Sequence, residues 1–344
     1  MLKKLNMDFV EDILDKMTLE QKVGGLFVVD FMGSVVTPYA VQMVQEYHVA
    51  GLRVDTALRT KMSYAQDTSD EKLKEIFNEM EIPPRGMCSD TAGGKSAVCA
   101  PEQYASTLNT LRNVAMERPL GIPIHTVLDQ EGNGSENYAL NNTRLFPCPM
   151  GLAATGDPDL VYRAGDAIAR QLRAVGIDWI HSPTLDVNVN NRNFEIGTRA
   201  YSDSHELVSR YSLQTLKAFI ANNIVATGKH FPGRGDSAVD AHIECPVIHA
   251  SGKDMHDIHL QPYINLIKEG LPAIMIAHTV FPALNDSGVP ATVSKKIVTD
   301  LLRRELGFNG VVTTDNMLMG GIIRKYGMNL RRASPAVSNR KGYA

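Results

Sequence analysis

The sequence predicts an α/β fold of the (β/α)8, TIM-barrel type, and two observations lead there. Short apolar runs rich in β-branched residues alternate with amphipathic segments of helix length, which is the pattern of a parallel sheet with right-handed crossovers. Ionisable residues stand just past nearly every run. A doubly wound sheet gathers its ligand groups at one or two switch points, whereas a barrel collects them from a ring of converging strand ends. No glycine-rich phosphate loop follows the first run, which argues against a nucleotide site.

In chain order, the expected strands are 26–31, 51–54, 122–128, 177–182, 224–228, 273–277 and 310–313. Expected helices are 38–48, 104–116, 158–174, 204–222, 255–269 and 294–306. Their boundaries follow from local chemistry. Asp157-Pro158 offers an N-cap with proline in the first turn, and Ser294 opens a run closed by Gly307. Residues 56–100, with Pro83-Pro84 and Gly93-Gly94 as breakers, read as an insertion after the second strand, on the face that carries the polar strand ends. Residues 1–326 are read as the barrel domain and 327–344 as a polar, basic, irregular tail; an eighth strand is not evident. A barrel truncated in this way would expose strand edges and be poorly stable.

At 344 residues the chain can bury a large core, and its net charge of −3 gives no basic face for nucleic acid or anionic lipid. A small neutral or weakly charged ligand is the expected partner. The first residues lack the apolar run of a secretory leader, and no stretch is long enough for a membrane span, so a cytoplasmic location is expected. Cys88, Cys99, Cys148 and Cys245 have neither CxxC nor zinc-finger spacing. Cys88 and Cys99 could bridge one loop, but free thiols are expected in a reducing compartment. The run Asp254-Met255-His256-Asp257-Ile258-His259 resembles a metal-ligand set but sits at a helix start, where acidic caps are expected. No metal or cofactor is assigned.

The most informative stretch is Gly228-Lys229-His230-Phe231-Pro232-Gly233, followed by Asp240-Ala241-His242. Glycine and proline turn the chain sharply, which predicts that these groups project from a strand end into a loop. Other strand-end groups are Asp129-Gln130-Glu131, Asp186 with Asn188, His278, and Asp315-Asn316. Taken alone, an Asp after a strand is a cap or turn residue, and His278 reads as a hydrogen-bonded wall residue.

Several motifs in order carry a family resemblance: Gly121-Ile122-Pro123, Leu128-Asp129-Gln130-Glu131-Gly132, Ser182-Pro183-Thr184-Leu185-Asp186-Val187-Asn188, Ile196-Gly197-Thr198-Arg199, the Lys-His-Phe-Pro-Gly loop with its Asp-x-His, and Gly310-Val311-Val312-Thr313-Thr314-Asp315. Over about 18–321 the chain resembles glycoside hydrolase family 3, in its β-N-acetylglucosaminidase-like branch. The resemblance implies a retaining exo-glycosidase for terminal β-linked N-acetylhexosamine, with a small carbohydrate as substrate. It implies Asp315 as nucleophile, His242 as acid/base and Asp240 as the group that orients it. Asp129, Arg199, Lys229 and His230 match sugar-binding positions. Asp186 either contacts the sugar or supports Lys229 or Arg199 from behind. A histidine acid/base departs from the usual pair of carboxylates, but an ordinary pKa near 6.5 suits proton transfer near neutrality. It also repels an incoming anion less, so a glycoside phosphorylase is one alternative. A β-glucosidase on the same scaffold and a weakly active carbohydrate-binding remnant are the others.

Two departures stand out. Where the branch continues Asp-Gln-Glu-Gly-Gly and soon supplies an arginine, this chain has Asn133-Gly134-Ser135-Glu136-Asn137 after Gly132, with Arg144 the first arginine after it. Arg234 stands where a second histidine is usual, which predicts a substrate with an additional polar or negative group.

Overall fold

A computed structural model of the chain describes residues 7–32, 35–55, 101–131 and 146–326. The expected insertion, the 133–144 departures, Cys88, Cys99 and the 327–344 tail lie outside the described residues. The chain divides into two compact units, and the second contains every expected site residue.

In the first unit, strands β1 (Val28–Met32), β2 (Gly51–Asp55) and β3 (His125–Leu128) are parallel and neighbours in chain order, with Val28 facing Gly51 and Gly51 facing His125. Helix Pro38–Gln45 follows β1, and Pro101–Met116 precedes β3. Thr37 caps the first of these by accepting the Ala40 N–H at 3.2 Å. Two earlier helices, Met7–Lys16 and Leu19–Gly24, were not anticipated from the apolar pattern. The second opens with a reciprocal capping box between Thr18 and Gln21, a signal that is local in the sequence. Arg112 Nη2 ties the unit together, reaching Thr126 Oγ1 at 2.8 Å and Asp178 Oδ2 at 3.0 Å. Strand β4 is only Trp179–Ile180.

In the second unit, β5 (Val225–Phe231), β6 (Ala273–Ile276) and β7 (Val311–Thr314) are again parallel and in chain order. The 182–185 segment borders β5, with the Thr227 N–H on the Ser182 carbonyl and the Leu185 N–H on the Lys229 carbonyl. Helix Pro158–Ala174 has its expected bounds, and His205–Ala221 starts at Ser204, whose Oγ accepts the Leu207 N–H. Val161, Val187, Tyr201, Val208 and Tyr211 pack into one buried cluster. Phe231 and Tyr263 meet edge to face at 5.1 Å.

Two expectations need correction. The helix expected over 255–269 is broken: a wide turn, Met255–His259, ends where the Leu260 N–H bonds to the Met255 carbonyl, and Gln261–Lys268 follows. Pro262, which has no N–H to continue the ladder, sits in the first turn of the new helix. Strand β5 does not stop at 228 but runs on through Lys229 and His230, with its pairing to β6 shifted between Gly228 and Phe231. Both side chains therefore lie inside the protein rather than projecting into a loop. A shifted register of this kind redirects side chains along a strand.

Candidate active site

Buried cations need counter-charges, and the site is built from them. Lys229 Nζ lies 2.7 Å from Asp129 Oδ1 and also pairs with Glu131 Oε1. Arg199 grips the same Glu131 through both oxygens, Nε to Oε2 at 2.5 Å and Nη2 to Oε1 at 2.9 Å. The network alternates Asp129, Lys229, Glu131 and Arg199, so its formal charges cancel. Burial alone would lower the Lys229 pKa, but Asp129 and Glu131 reverse this and raise it. Burial likewise pushes the Glu131 carboxyl up, and Arg199 and Lys229 overcome that and hold it down.

Asp186 is fully buried and makes its hydrogen bonds to His230 and Arg234, which corrects the expectation that it supports Lys229 or Arg199. Its Oδ2 faces His230 Nδ1 at 2.7 Å and accepts the His230 N–H at 3.2 Å, while Oδ1 accepts the Arg234 N–H at 2.7 Å. With a carboxylate on Nδ1, the neutral His230 ring carries its proton there, leaving Nε2 as an acceptor. That nitrogen lies 3.4 Å from Arg199 Nη2 and 4.0 Å from Asp315 Oδ2.

Asp315 follows β7, its backbone N–H on the Ile276 carbonyl and its Oδ1 accepting the Asn316 N–H at 2.8 Å. Burial would raise its pKa, yet His230, His278, Arg234 and Lys229 outweigh this and hold the carboxyl far below the ordinary range. Because burial also lowers both histidine pKa values, the lasting positive charge at neutral pH comes from Arg234 and Lys229. His278 has both ring nitrogens engaged, by Thr292 Oγ1 and the Asn316 carbonyl, as expected of a wall residue.

His242 and Asp240 lie on the more open side. Nδ1 of His242 is 2.7 Å from Asp240 Oδ1, and the two side chains are 56 % and 39 % exposed. Their loop is held by backbone: Gly320 and Gly321 donate their N–H groups to the carbonyls of His242 and Ala241 at 3.1 and 3.0 Å. A Cβ on residue 320 would stand 2.6 Å from the His242 carbonyl oxygen, so this approach requires glycine.

Sequence reasoning missed Glu195, which belongs to no motif. Its carboxylate pairs with Arg234, lies 3.3 Å from His242 Nδ1 and accepts the Ala241 N–H at 3.0 Å. Arg234 is thus buried, its Nη2 on Glu195 and its Nε and Nη1 without a hydrogen-bond partner among the described residues. The unusual arginine was itself the available signal, because a buried guanidinium demands a carboxylate. Glu195, Asp240 and His242 place their carboxylate and imidazole atoms within 4.8 Å of one another, with Glu195 also paired to Arg234 and to the Ala241 N–H. The 254–259 run does not converge: Asp254 caps with Ser251, and Asp257 pairs with Lys253 and His256.

These carboxylates predict acid lability. Burial pushes Glu131 and Glu195 up, their cationic partners more than reverse it, and both settle at about 2 against an ordinary 4.5. A depressed carboxyl pKa stabilises the fold above the unfolded value, and that contribution is lost as pH falls through the folded one. The thermal midpoint should therefore fall as pH drops from about 4.5 towards 2. A flat midpoint across that window, followed by calorimetry, would contradict the ion-paired site.

Among the described residues no helix is long and apolar enough to cross a membrane. The chain is 35 % identical to beta-hexosaminidase A of Pseudoalteromonas piscicida over 64 % of its own length and 39 % of that relative. It is 32 % identical to a beta-hexosaminidase of Nitrosomonas eutropha, over 62 % of each. A solved glycoside hydrolase family 3 beta-N-acetylglucosaminidase from Paenibacillus sp. str. FPU-7 superposes with a TM-score of 0.76 at 32 % identity, over 90 % of this chain and 51 % of that one. The chain thus spans between about two fifths and three fifths of the length of these relatives. The α/β barrel-type fold expected from the sequence is the fold observed. The sequence model of the Glycosyl hydrolase family 3 N terminal domain matches residues 18–338, and with parallel strands in chain order and a carboxylate past β7, the chain belongs to glycosyl hydrolase family 3.

Proposed function

We propose that this chain acts as a retaining exo-glycosidase on terminal β-linked N-acetylhexosamine, with Asp315 as nucleophile and His242 as acid/base. The observation that carries the reading is the Asp315 carboxylate, held ionised past β7 with its Oδ2 4.0 Å from His230. An Asp315 oxygen attacks the anomeric carbon, the glycosidic C–O bond breaks, and the leaving oxygen takes a proton from His242 Nε2. Water then attacks the glycosyl ester, returning a proton to His242 and freeing Asp315, so two inversions give net retention.

Asp129 and Arg199, each partly open to solvent, supply an acceptor and a donor for sugar hydroxyls, while Lys229 sets the Asp129 carboxylate from behind. His230 presents Nε2 to the same space, and Asp186 fixes its ring. The neutral sum of the Asp129–Arg199 network suits an uncharged sugar. The beta-hexosaminidase relatives favour an N-acetylated one. Cys148 and Cys245 are free thiols, which supports a cytoplasmic location that fractionation of the producing cell would test.

A panel of aryl β-glycosides, assayed with and without phosphate, tests this reading. The N-acetylglucosaminide should be turned over fastest, to free sugar with retained anomeric configuration, at a rate phosphate leaves unchanged. Sugar phosphate as product would identify a phosphorylase, preference for the glucoside a β-glucosidase, and binding without turnover a carbohydrate-binding remnant.

A further inference from the structure

Glu195 joins the two sides of the site. Its backbone carbonyl receives Arg199 Nη1 at 2.9 Å, while its side chain reaches the His242 loop. One oxygen, Oε1, is shared between Arg234 Nη2 and His242 Nδ1, and the other takes the Ala241 N–H. The Glu195 and Arg234 side chains are 5 % and 1 % exposed. Water cannot replace a partner there, so removing either side chain would leave the other's charge buried and unpaired. Arg234 is anchored in turn, its N–H on Asp186 and its carbonyl taking the Asn193 side-chain amide at 2.9 Å.

We propose that Glu195, braced by Arg234, is a positioning residue for the acid/base, so that His242 is oriented by a pair of carboxylates rather than by Asp240 alone. The proposal rests on the reading of His242 as acid/base. Two carboxylates face Nδ1, so that nitrogen keeps its hydrogen and Nε2 is left to give and take the catalytic proton. Asp240 lies closer but is more than a third exposed and screened by water, whereas Glu195 is a buried, constant charge. Consistent with this, Glu195 contributes most to raising the His242 pKa, against burial, with Asp240 adding to it. Among the described residues, these two carboxylates are the charged groups in contact with the ring; Arg234 stands behind Glu195, and the 320–321 segment meets the loop through backbone bonds.

Glu195→Gln keeps the size of the side chain and an acceptor for Ala241 but removes the charge. The basic limb of the kcat/KM–pH profile should move to lower pH, because His242 then loses its proton more easily. A glycoside with a poor leaving group should be slowed about tenfold more than a nitrophenyl glycoside, a fraction of the full general-acid contribution. Glu195→Gln/Arg234→Gln leaves no guanidinium buried alone and should show the same shift, which keeps the test open where the single variant folds poorly. Uniform losses on both substrates with the basic limb unmoved would reduce Glu195 to a structural role and overturn the proposal. His242→Ala is run alongside. If it discriminates between leaving groups while Glu195→Gln moves nothing, the positioning role alone fails. If His242→Ala shows no discrimination, the acid/base assignment fails and the proposal falls with it.

Discussion

Asp315→Asn should cost turnover several orders of magnitude while leaving sugar affinity largely in place. Asparagine keeps the shape and the contact with the Asn316 N–H but cannot attack the anomeric carbon. The charge it removes is the one that Arg234 and Lys229 hold ionised, so the variant should also lose some stability, and the loss in kcat is read on protein shown by circular dichroism to be folded. A fluorinated β-glycoside with a good leaving group should leave a covalent sugar on the wild-type peptide that contains Asp315, and none on the variant. Mass spectrometry of the digested protein reads this directly. Label on Asp129 or Asp186 would move the nucleophile elsewhere, and full burial makes Asp186 the less accessible of the two.

His242→Ala should slow cleavage of a glycoside with a poor leaving group by roughly 10²–10⁴. A nitrophenolate departs without a proton, so formation of the intermediate from a nitrophenyl glycoside should suffer far less. Its hydrolysis still needs a base. The glycosyl-enzyme should therefore accumulate, giving a burst of nitrophenolate, and azide should speed its release as the glycosyl azide. Asp240→Asn should give a weaker version, because Nδ1 would lose the carboxylate 2.7 Å away but keep Glu195. Equal losses on good and poor leaving groups, without azide rescue, would confine His242 to shaping its loop.

What could be read from the sequence was what is local in it. β-branched runs marked the strands, and the motifs around Asp315, Lys229 and Asp240-Ala241-His242 named residues that the fold gathers into one unit. The extent of β5 was misread because a lysine and a histidine look like loop residues until Asp129, Glu131 and Asp186 are known to neutralise them from distant parts of the chain. Asp186 and Arg234 carried the same difficulty: their partners, His230 and Glu195, are set by tertiary packing. Glu195 had no local signature at all. The break before Pro262 was missed although its signal, a residue without an N–H, is local.

The backbone bonds from Gly320 and Gly321 to the His242 loop bear on how this chain could be re-engineered. They fasten the segment just after Asp315 to the loop that carries His242, so the two stretches form one cassette although some seventy residues of chain separate them. A designer who transplants 236–245 from a relative, to alter leaving-group preference, should move 316–321 with it. Grafting either stretch alone would pair a loop with the wrong tether, and a recipient with any side chain at 320 would push the graft off its seat.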